Sequence, residues 1–159
     1  MPSGTEFITH EFDEAIAIQR SIVDAGESLS GSHPVAAVKK QLKADVRVDR
    51  QHLKQLQSFG KAYGATGKRE EVAEALGTLA SETTSKAGQE ESEAYEAHAV
   101  LLNLKRKQQD SADAVVKIAR DRKETELRDA ALQMKKEIKA SADGLAKSLA
   151  DFAVRIASA

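Results

Sequence analysis

The sequence predicts an all-α protein, an up-down four-helix bundle with long third and fourth helices. Its composition favours helices, because only 4% of the residues are aromatic and the chain has 9 Gly and 2 Pro among 159 residues. Apolar residues recur every three or four positions along most of the chain, and no segment shows the alternation that is typical of a strand. A chain of this length predicts a single helical-bundle domain over 1–159.

The first two helices are predicted over 9–29 and 35–63. The break between them is the Ser-Gly-Ser-His-Pro segment at 30–34, where the proline suits the first turn of the second helix. The second helix should end in the run of glycines Gly60, Gly64 and Gly67. The inward stripe of the first helix consists of Ile8, Phe12, Ile16, Val23 and Gly26.

A third helical region is predicted from Arg69 to about residue 108. Gly77 and Gly88 favour a short connector followed by a long helix from about residue 87. The polar run at 108–111 predicts the next boundary. The fourth helix should cover 112–156, with either a bend or a break at 141–144.

Two polar residues interrupt the apolar stripe of the second helix. Asp49 falls near its centre and His52 falls beside it, and their i, i+3 spacing directs both side chains the same way. A buried carboxylate and imidazole must be paired, hydrogen-bonded or bound to metal, since an unpaired buried charge is very costly. We therefore expect either a metal site, because these are oxygen and nitrogen donors suited to iron, manganese or zinc, or a buried polar network with Arg120 or Lys123.

The two halves of the chain, 8–66 and 70–138, resemble each other. Asp49 in the second helix corresponds to Asp121 in the fourth, and His52 corresponds to Glu124. The polar residue that precedes each of these segments is Gln19 in the first half and Glu90 in the second half.

The segment from Asp49 through His52 to Gly64 resembles the acidic-x-x-His-Leu-x-x-Leu segment of the ferritin-like superfamily, and 90–98 looks like the acidic, tyrosine-bearing helix of that family. The resemblance implies a helical bundle of stress or metal-handling type that binds iron or manganese. Carried over, the implied metal-binding residues are Asp49, His52 and Glu90, with Glu93, His98 and Glu124 as further ligands.

The chain also departs from the ferritin-like pattern. Gln19 stands where the first helix of the family supplies a carboxylate, and Glu124 stands where the last supplies a histidine. Arg120 and Lys123 lie nearby, and two cations oppose metal binding by repulsion. The resemblance thus implies at most a partial metal site, and whether the protein is an enzyme is left open.

An alternative resemblance points to a non-enzymatic helical scaffold. The segment 59–70 and the long helices after it are similar to the BAR-domain coiled coils of sorting nexins. In that case a basic cluster would form a membrane-facing tip, whereas otherwise it is a solvated helix end. The cluster comprises Lys105, Arg106, Lys107, Lys117, Arg120, Arg122 and Lys123.

Charge and motifs exclude several functions. The net charge of −1 gives no overall basic field for nucleic acid, so membrane contact is expected only for the BAR-like alternative. The absence of cysteine excludes disulfides and thiolate metal sites. No Gly-x-Ser-x-Gly or phosphate-binding loop motif occurs. Without a secretory signal or a stretch of roughly 20 apolar residues, we expect a cytoplasmic protein, and the alanine-rich fourth helix favours a homodimer through the long helices.

Overall fold

The computed structural model describes residues 3–68 and 70–159, and within these ranges the chain forms five α-helices and no strand. The helices are α1 (Gly4–Ser32), α2 (Ala36–Lys61), α3 (Glu71–Lys86), α4 (Glu91–Asp121) and α5 (Thr125–Ala157). The all-α prediction is confirmed. None of the described helices combines the length and the apolar character that crossing a bilayer requires.

Helix α1 begins five residues before its predicted start because of a capping box. The Ser3 hydroxyl accepts a hydrogen bond from the Glu6 amide, and the Glu6 carboxylate accepts one from the Ser3 amide. This reciprocal pair satisfies amide groups that have no partner within the helix. The helix ends at Ser32, three residues beyond its predicted end, and the extended backbone of the C-cap residue His33 leads into Pro34.

The four long helices form two antiparallel pairs. In the first pair, Gly26 of α1 lies against Val46 of α2, while Gly60 near the end of α2 lies against Phe12 near the start of α1. In the second pair, α5 runs back along α4, so that the side chain of Arg155 reaches Glu91 at the start of α4.

The two pairs pack side by side with α1 next to α4 and α2 next to α5. Gln108 of α4 reaches Ala15 of α1, whereas His98, earlier in α4, reaches His33 at the end of α1. Helices α1 and α4 are therefore antiparallel, and α2 and α4 run in the same direction. The segment 62–90, which includes α3, carries the chain back along the bundle and packs α3 against α1 and α4.

The predicted boundary at 108–111 is wrong, because α4 continues through it to Asp121. The true break follows three turns later and has the hydrogen bonds of a Schellman motif: the Glu124 amide donates to the Ala119 carbonyl, and the Lys123 amide donates to the Arg120 carbonyl. No break occurs at 141–144, since α5 is continuous there. The predicted start of the third helix at Arg69 lies outside the described residues.

The hydrophobic core is divided into two clusters. One cluster lies toward the α1–α2 turn and includes Ile22, Leu42, Leu101, Leu145 and Phe152. The other lies toward the α4–α5 turn and includes Phe12, Ile16, Leu56, Val116 and Met134. Between them the long helices place polar side chains in the interior, and this layer is the candidate site.

Candidate functional site

The polar layer at the middle of the bundle is called the central polar layer. It receives side chains from all four long helices, so it depends on the packing of both helix pairs. Its buried members are Gln19 of α1, Asp49 and His52 of α2, and Lys105 and Gln108 of α4, and Glu137 and Ser141 of α5 complete it at the surface.

A lysine ammonium lies at the centre of this layer. Lys105 is only 1% exposed, and its Nζ donates a hydrogen bond of 2.9 Å to Oδ2 of Asp49 and one of 2.5 Å to the Ser141 hydroxyl. Oδ2 of Asp45 is 3.9 Å from the same ammonium. Because both charges are withdrawn from water, each is tolerated only in the presence of the other.

Two glutamines connect the layer across the helices. Nε2 of Gln108 donates to the Ala15 carbonyl at 2.7 Å and to Oε1 of Gln19 at 3.1 Å. Nε2 of Gln19 in turn donates to the backbone carbonyl of Asp49 at 2.9 Å. This chain of amides fixes α4 against α1 and α1 against α2 at the height of the Lys105–Asp49 pair.

His52 has unused hydrogen-bonding capacity at both ring nitrogens, and in the same layer Oε1 of Gln108 also has no hydrogen-bond partner among the described residues. His52 is 2% exposed, and neither ring nitrogen has a hydrogen-bond partner among the described residues. Its Nε2 lies 3.6 Å from Oε2 of Glu137 on α5. Burial lowers the pKa of His52 against the opposing effect of Asp49 and Glu137, which favours the neutral imidazole that binds metals.

A cleft of about 320 Å³ between α2 and α5 leads from solvent to the layer. Burial raises the pKa of its Asp45 carboxyl, an effect that Lys105 opposes and the nearby Asp49 reinforces. Oδ2 of Asp45 also has no hydrogen-bond partner among the described residues. The cleft is lined by Gln41, Asp45, Val48, Asp49, Glu137, Ala140 and Ser141.

The donors of this layer fit one cation better than two. The 3.6 Å between His52 Nε2 and Glu137 Oε2 is close to the separation of about 3.4 Å between two ligands of a tetrahedral zinc-like site. Beside Asp49, however, the positive charge is already supplied by Lys105. Among the described residues, three ligand atoms converge only in the surface cluster His10, Glu11 and Glu14.

The structure brings together only two of the sequence-predicted metal ligands. Asp49 and His52 are both buried on α2, which confirms the expected burial. Glu90 is the exposed N-cap of α4, about 15 residues before Lys105, which is about 22 Å along the helix. Glu93 lies in the first turn of α4 and Glu124 at the start of α5, so neither is in the central polar layer.

The remaining predicted ligand, His98, belongs to a separate buried pair. Its Nδ1 is 3.1 Å from Nε2 of His33, and its Nε2 is 3.0 Å from the Leu145 carbonyl. Both ring nitrogens are thus engaged in hydrogen bonds. The pair lies in the core cluster toward the α1–α2 turn, next to Phe152.

The counter-ion of Asp49 is Lys105, and the expectation of Arg120 or Lys123 in this role is wrong. Both of those residues are exposed near the α4–α5 turn. The sequence predicts Lys105 as a member of the basic cluster, although it follows Leu101 and precedes Gln108 and Ala112 at helical spacing. That spacing was the available signal, but a lysine on an apolar stripe more often extends to solvent. Glu137 and Ser141 carried no comparable signal.

Most of the other basic-cluster residues have acidic partners. Arg106 binds Asp143 at 3.0 Å, and Lys107 binds Glu14 at 2.5 Å. At the α4–α5 turn, Arg122 binds Glu124 at 3.0 Å. These contacts neutralise much of the positive charge along α4.

Comparisons with protein-family models, with curated proteins and with solved structures found no match to this chain.

Proposed function

We propose that this chain is a ferritin-like helical-bundle protein of stress or metal-handling type with a partial metal site. Its central polar layer would bind one divalent cation, such as ferrous iron or manganese, and the Lys105 ammonium would replace a second. The observation that carries the proposal is the buried Lys105–Asp49 pair, 2.9 Å apart, in the middle of a four-helix packing.

The chain path supports the ferritin-like part of this proposal. Ferritin-like folds are bundles with one long crossover connection, and their metal ligands project inward from facing helices. In this chain the α1–α2 and α4–α5 pairs are joined by the crossover segment 62–90. The Asp49-x-x-His52 pair projects inward from α2, as ligand-bearing helices of that plan require.

The remaining cation position would lie between α2 and α5. The neutral imidazole of His52 and the carboxylate of Glu137 would be its protein ligands. Glu137 lines the cleft together with Asp45, whereas His52 is not among the lining residues. Oxygen and nitrogen donors of this kind suit iron, manganese and zinc. The cleft would give a cation access from solvent to Glu137, which is one of its lining residues.

Elemental analysis of the protein after anaerobic loading with ferrous iron or manganese tests the proposal. We expect about one metal ion per chain, lost in His52→Ala and in Glu137→Gln. The matched control is Asp143→Asn, which removes an exposed carboxylate from the same helix, where Asp143 binds Arg106 and Lys139. Two ions per chain, or one ion retained in both ligand variants, would contradict the assignment.

A second candidate is a non-enzymatic helical scaffold that forms a homodimer through its long helices. The observation that favours it is the same ion pair, because an Asp49 neutralised by Lys105 requires no metal. Loading that gives no metal above background would support this candidate over the first. The acidic partners of Arg106, Lys107 and Arg122 argue against a membrane-facing tip, so the expected partner is a second copy.

A further inference from the structure

Two fully buried histidines connect three parts of the bundle. His33 lies in the turn between α1 and α2, and His98 lies on α4, and both side chains are 0% exposed. The Val35 amide donates to Nδ1 of His33 at 3.1 Å, Nε2 of His33 is 3.1 Å from Nδ1 of His98, and Nε2 of His98 is 3.0 Å from the Leu145 carbonyl of α5. These hydrogen bonds form one continuous series from the Val35 amide to the Leu145 carbonyl.

The Val35 amide and the Leu145 carbonyl, at the two ends of this series of hydrogen bonds, determine the tautomers of both rings. Because the Val35 amide is a donor, Nδ1 of His33 must be bare and its Nε2 must carry the proton. That proton is donated to Nδ1 of His98, so the second ring carries its proton on Nε2 and donates it to Leu145. Two neutral rings therefore satisfy every polar atom between the amide and the carbonyl.

The hydrogen bonds of the two histidines cannot accommodate a third ring proton. If His33 takes it up on Nδ1, that N–H faces the Val35 N–H. If His98 takes it up on Nδ1, two ring N–H groups face each other, and moving the His33 proton only transfers the conflict to Val35. Every arrangement with one added proton thus contains a contact between two donors. The added charge also has no anionic partner among the groups of this hydrogen-bonded series.

The surroundings of the pair also disfavour a positive charge. The rings pack against Phe152 of α5, with 4.8 Å between the His33 and Phe152 ring centroids. The charged groups that act on His33 are Lys39 of α2 and Arg155 of α5, both cations, and Arg155 forms an ion pair with Glu91 of α4. The hydroxyl of Ser148 lies 3.4 Å from Nε2 of His98 and donates its own proton to Leu145.

We propose that the His33–His98 pair is an acid-sensitive latch. Uptake of one proton breaks the series of hydrogen bonds between the Val35 amide and the Leu145 carbonyl and releases the α1–α2 turn from α4 and α5. The latch lies at a different height in the bundle from the central polar layer, and it does not depend on whether that layer binds a metal. Opening would expose the apolar end of the core around Phe152.

The pH range of the latch follows from the pKa of His33. Burial, His98 and the two neighbouring cations lower this pKa from 6.5 to about 4. Since the folded pKa lies below the unfolded value, the open state binds more protons, and the closed state loses stability as the pH falls from 6.5 towards 4. The latch is fully closed at neutral pH.

Hydrogen exchange measured by mass spectrometry at pH 7 and pH 4.5, corrected for intrinsic exchange rates, tests the latch. Protection of the amides at 33–38 and 145–152 should fall on the order of 50-fold at the lower pH. The segment 112–119, in the other core cluster, serves as the internal reference. A fall of the same size in the reference segment would mean general acid unfolding and would overturn the proposal.

The matched control is the double variant His33→Phe/His98→Leu, which removes both titrating rings and retains apolar bulk. Its protection at 33–38 and 145–152 should change less than about threefold between the two pH values. The same fall as in the wild type would show that the histidines are not responsible.

A second measurement on the wild type does not depend on the folding of that variant. The imidazole ¹⁵N shifts at pH 7 should report a bare Nδ1 and a protonated Nε2 on both rings. The opposite tautomer on either ring, or titration of His33 near pH 6.5 without any loss of protection, would overturn the proposal.

Discussion

At the scale of single residues, the interior of the bundle contains a charge pair, Lys105 and Asp49, in which each residue requires the other in order to be buried. Periodicity alone places Asp49 and His52 on the inward face of α2, and both are buried. The partner of Asp49 could not be found in this way, because Lys105 comes from a helix whose orientation about its axis depends on tertiary packing. A buried carboxylate requires a cation, but the sequence of its own helix does not indicate which cationic residue pairs with it.

Removing the Lys105 ammonium alone should strongly destabilise the fold. In Lys105→Met the Asp49 carboxylate stays buried without its counter-ion, and we expect the free energy of unfolding to fall by roughly 3 to 5 kcal/mol. In Lys105→Met/Asp49→Leu both charges are gone, and the stability should return to within about 1 kcal/mol of the wild type or exceed it. Urea denaturation monitored by circular dichroism measures all variants.

The control for this prediction is Arg106→Ala, the next residue on α4. Arg106 binds Asp143 at 3.0 Å, but both side chains are nearly half exposed, so the loss should be at most about 1 kcal/mol. A loss of stability in Lys105→Met no larger than in Arg106→Ala would show that burial of the Lys105–Asp49 pair contributes little to the fold.

At the scale of helices, the sequence predicts those ends that carry ordinary stop signals. Pro34 predicts the start of α2 and the following run of glycines predicts its end, and both boundaries lie close to their predicted positions. The end of α4 was missed because its left-handed position is occupied by Lys123, with φ of 60°, where a glycine is usual. The polar run at 108–111 gave a false stop, because Gln108 hydrogen-bonds inside the bundle.

Glycine at this left-handed position should stabilise the protein. Lys123→Gly removes the Cβ strain of a positive φ, and we expect a gain of roughly 1 kcal/mol in the free energy of unfolding. Lys123→Ala removes the same charge but retains the Cβ atom, so it should bring no gain. Thermal and urea denaturation measure the free energies of unfolding of Lys123→Gly and Lys123→Ala relative to the wild type. A gain of equal size in both would attribute it to the charge and contradict the strain argument.

At the scale of the whole molecule, the all-α class and the long helices could be predicted, but the chain path could not. Helix periodicity does not state which helices are neighbours, and the parallel course of α2 and α4 becomes visible only through contacts between distant residues such as His33 with His98 and Ala15 with Gln108. For the same reason Glu90 was grouped with Asp49, although it lies at the far end of α4. The resemblance between the two halves of the chain aligns their residues in sequence. The position of each residue along the bundle axis is set by helix packing, which that resemblance does not specify.

In the proposed function, the Lys105 ammonium takes the place of a metal ion beside Asp49. Thermal unfolding of the wild type and of Lys105→Met, each with and without manganese, tests it most directly. We predict that manganese restores much of the stability lost in Lys105→Met, because a cation can then bind the vacated carboxylate, while the wild type gains only the smaller increment of its single site. Lys105→Met/Asp49→Leu should gain no more than the wild type. If manganese stabilises Lys105→Met no more than it stabilises the wild type, the ammonium does not replace a metal ion.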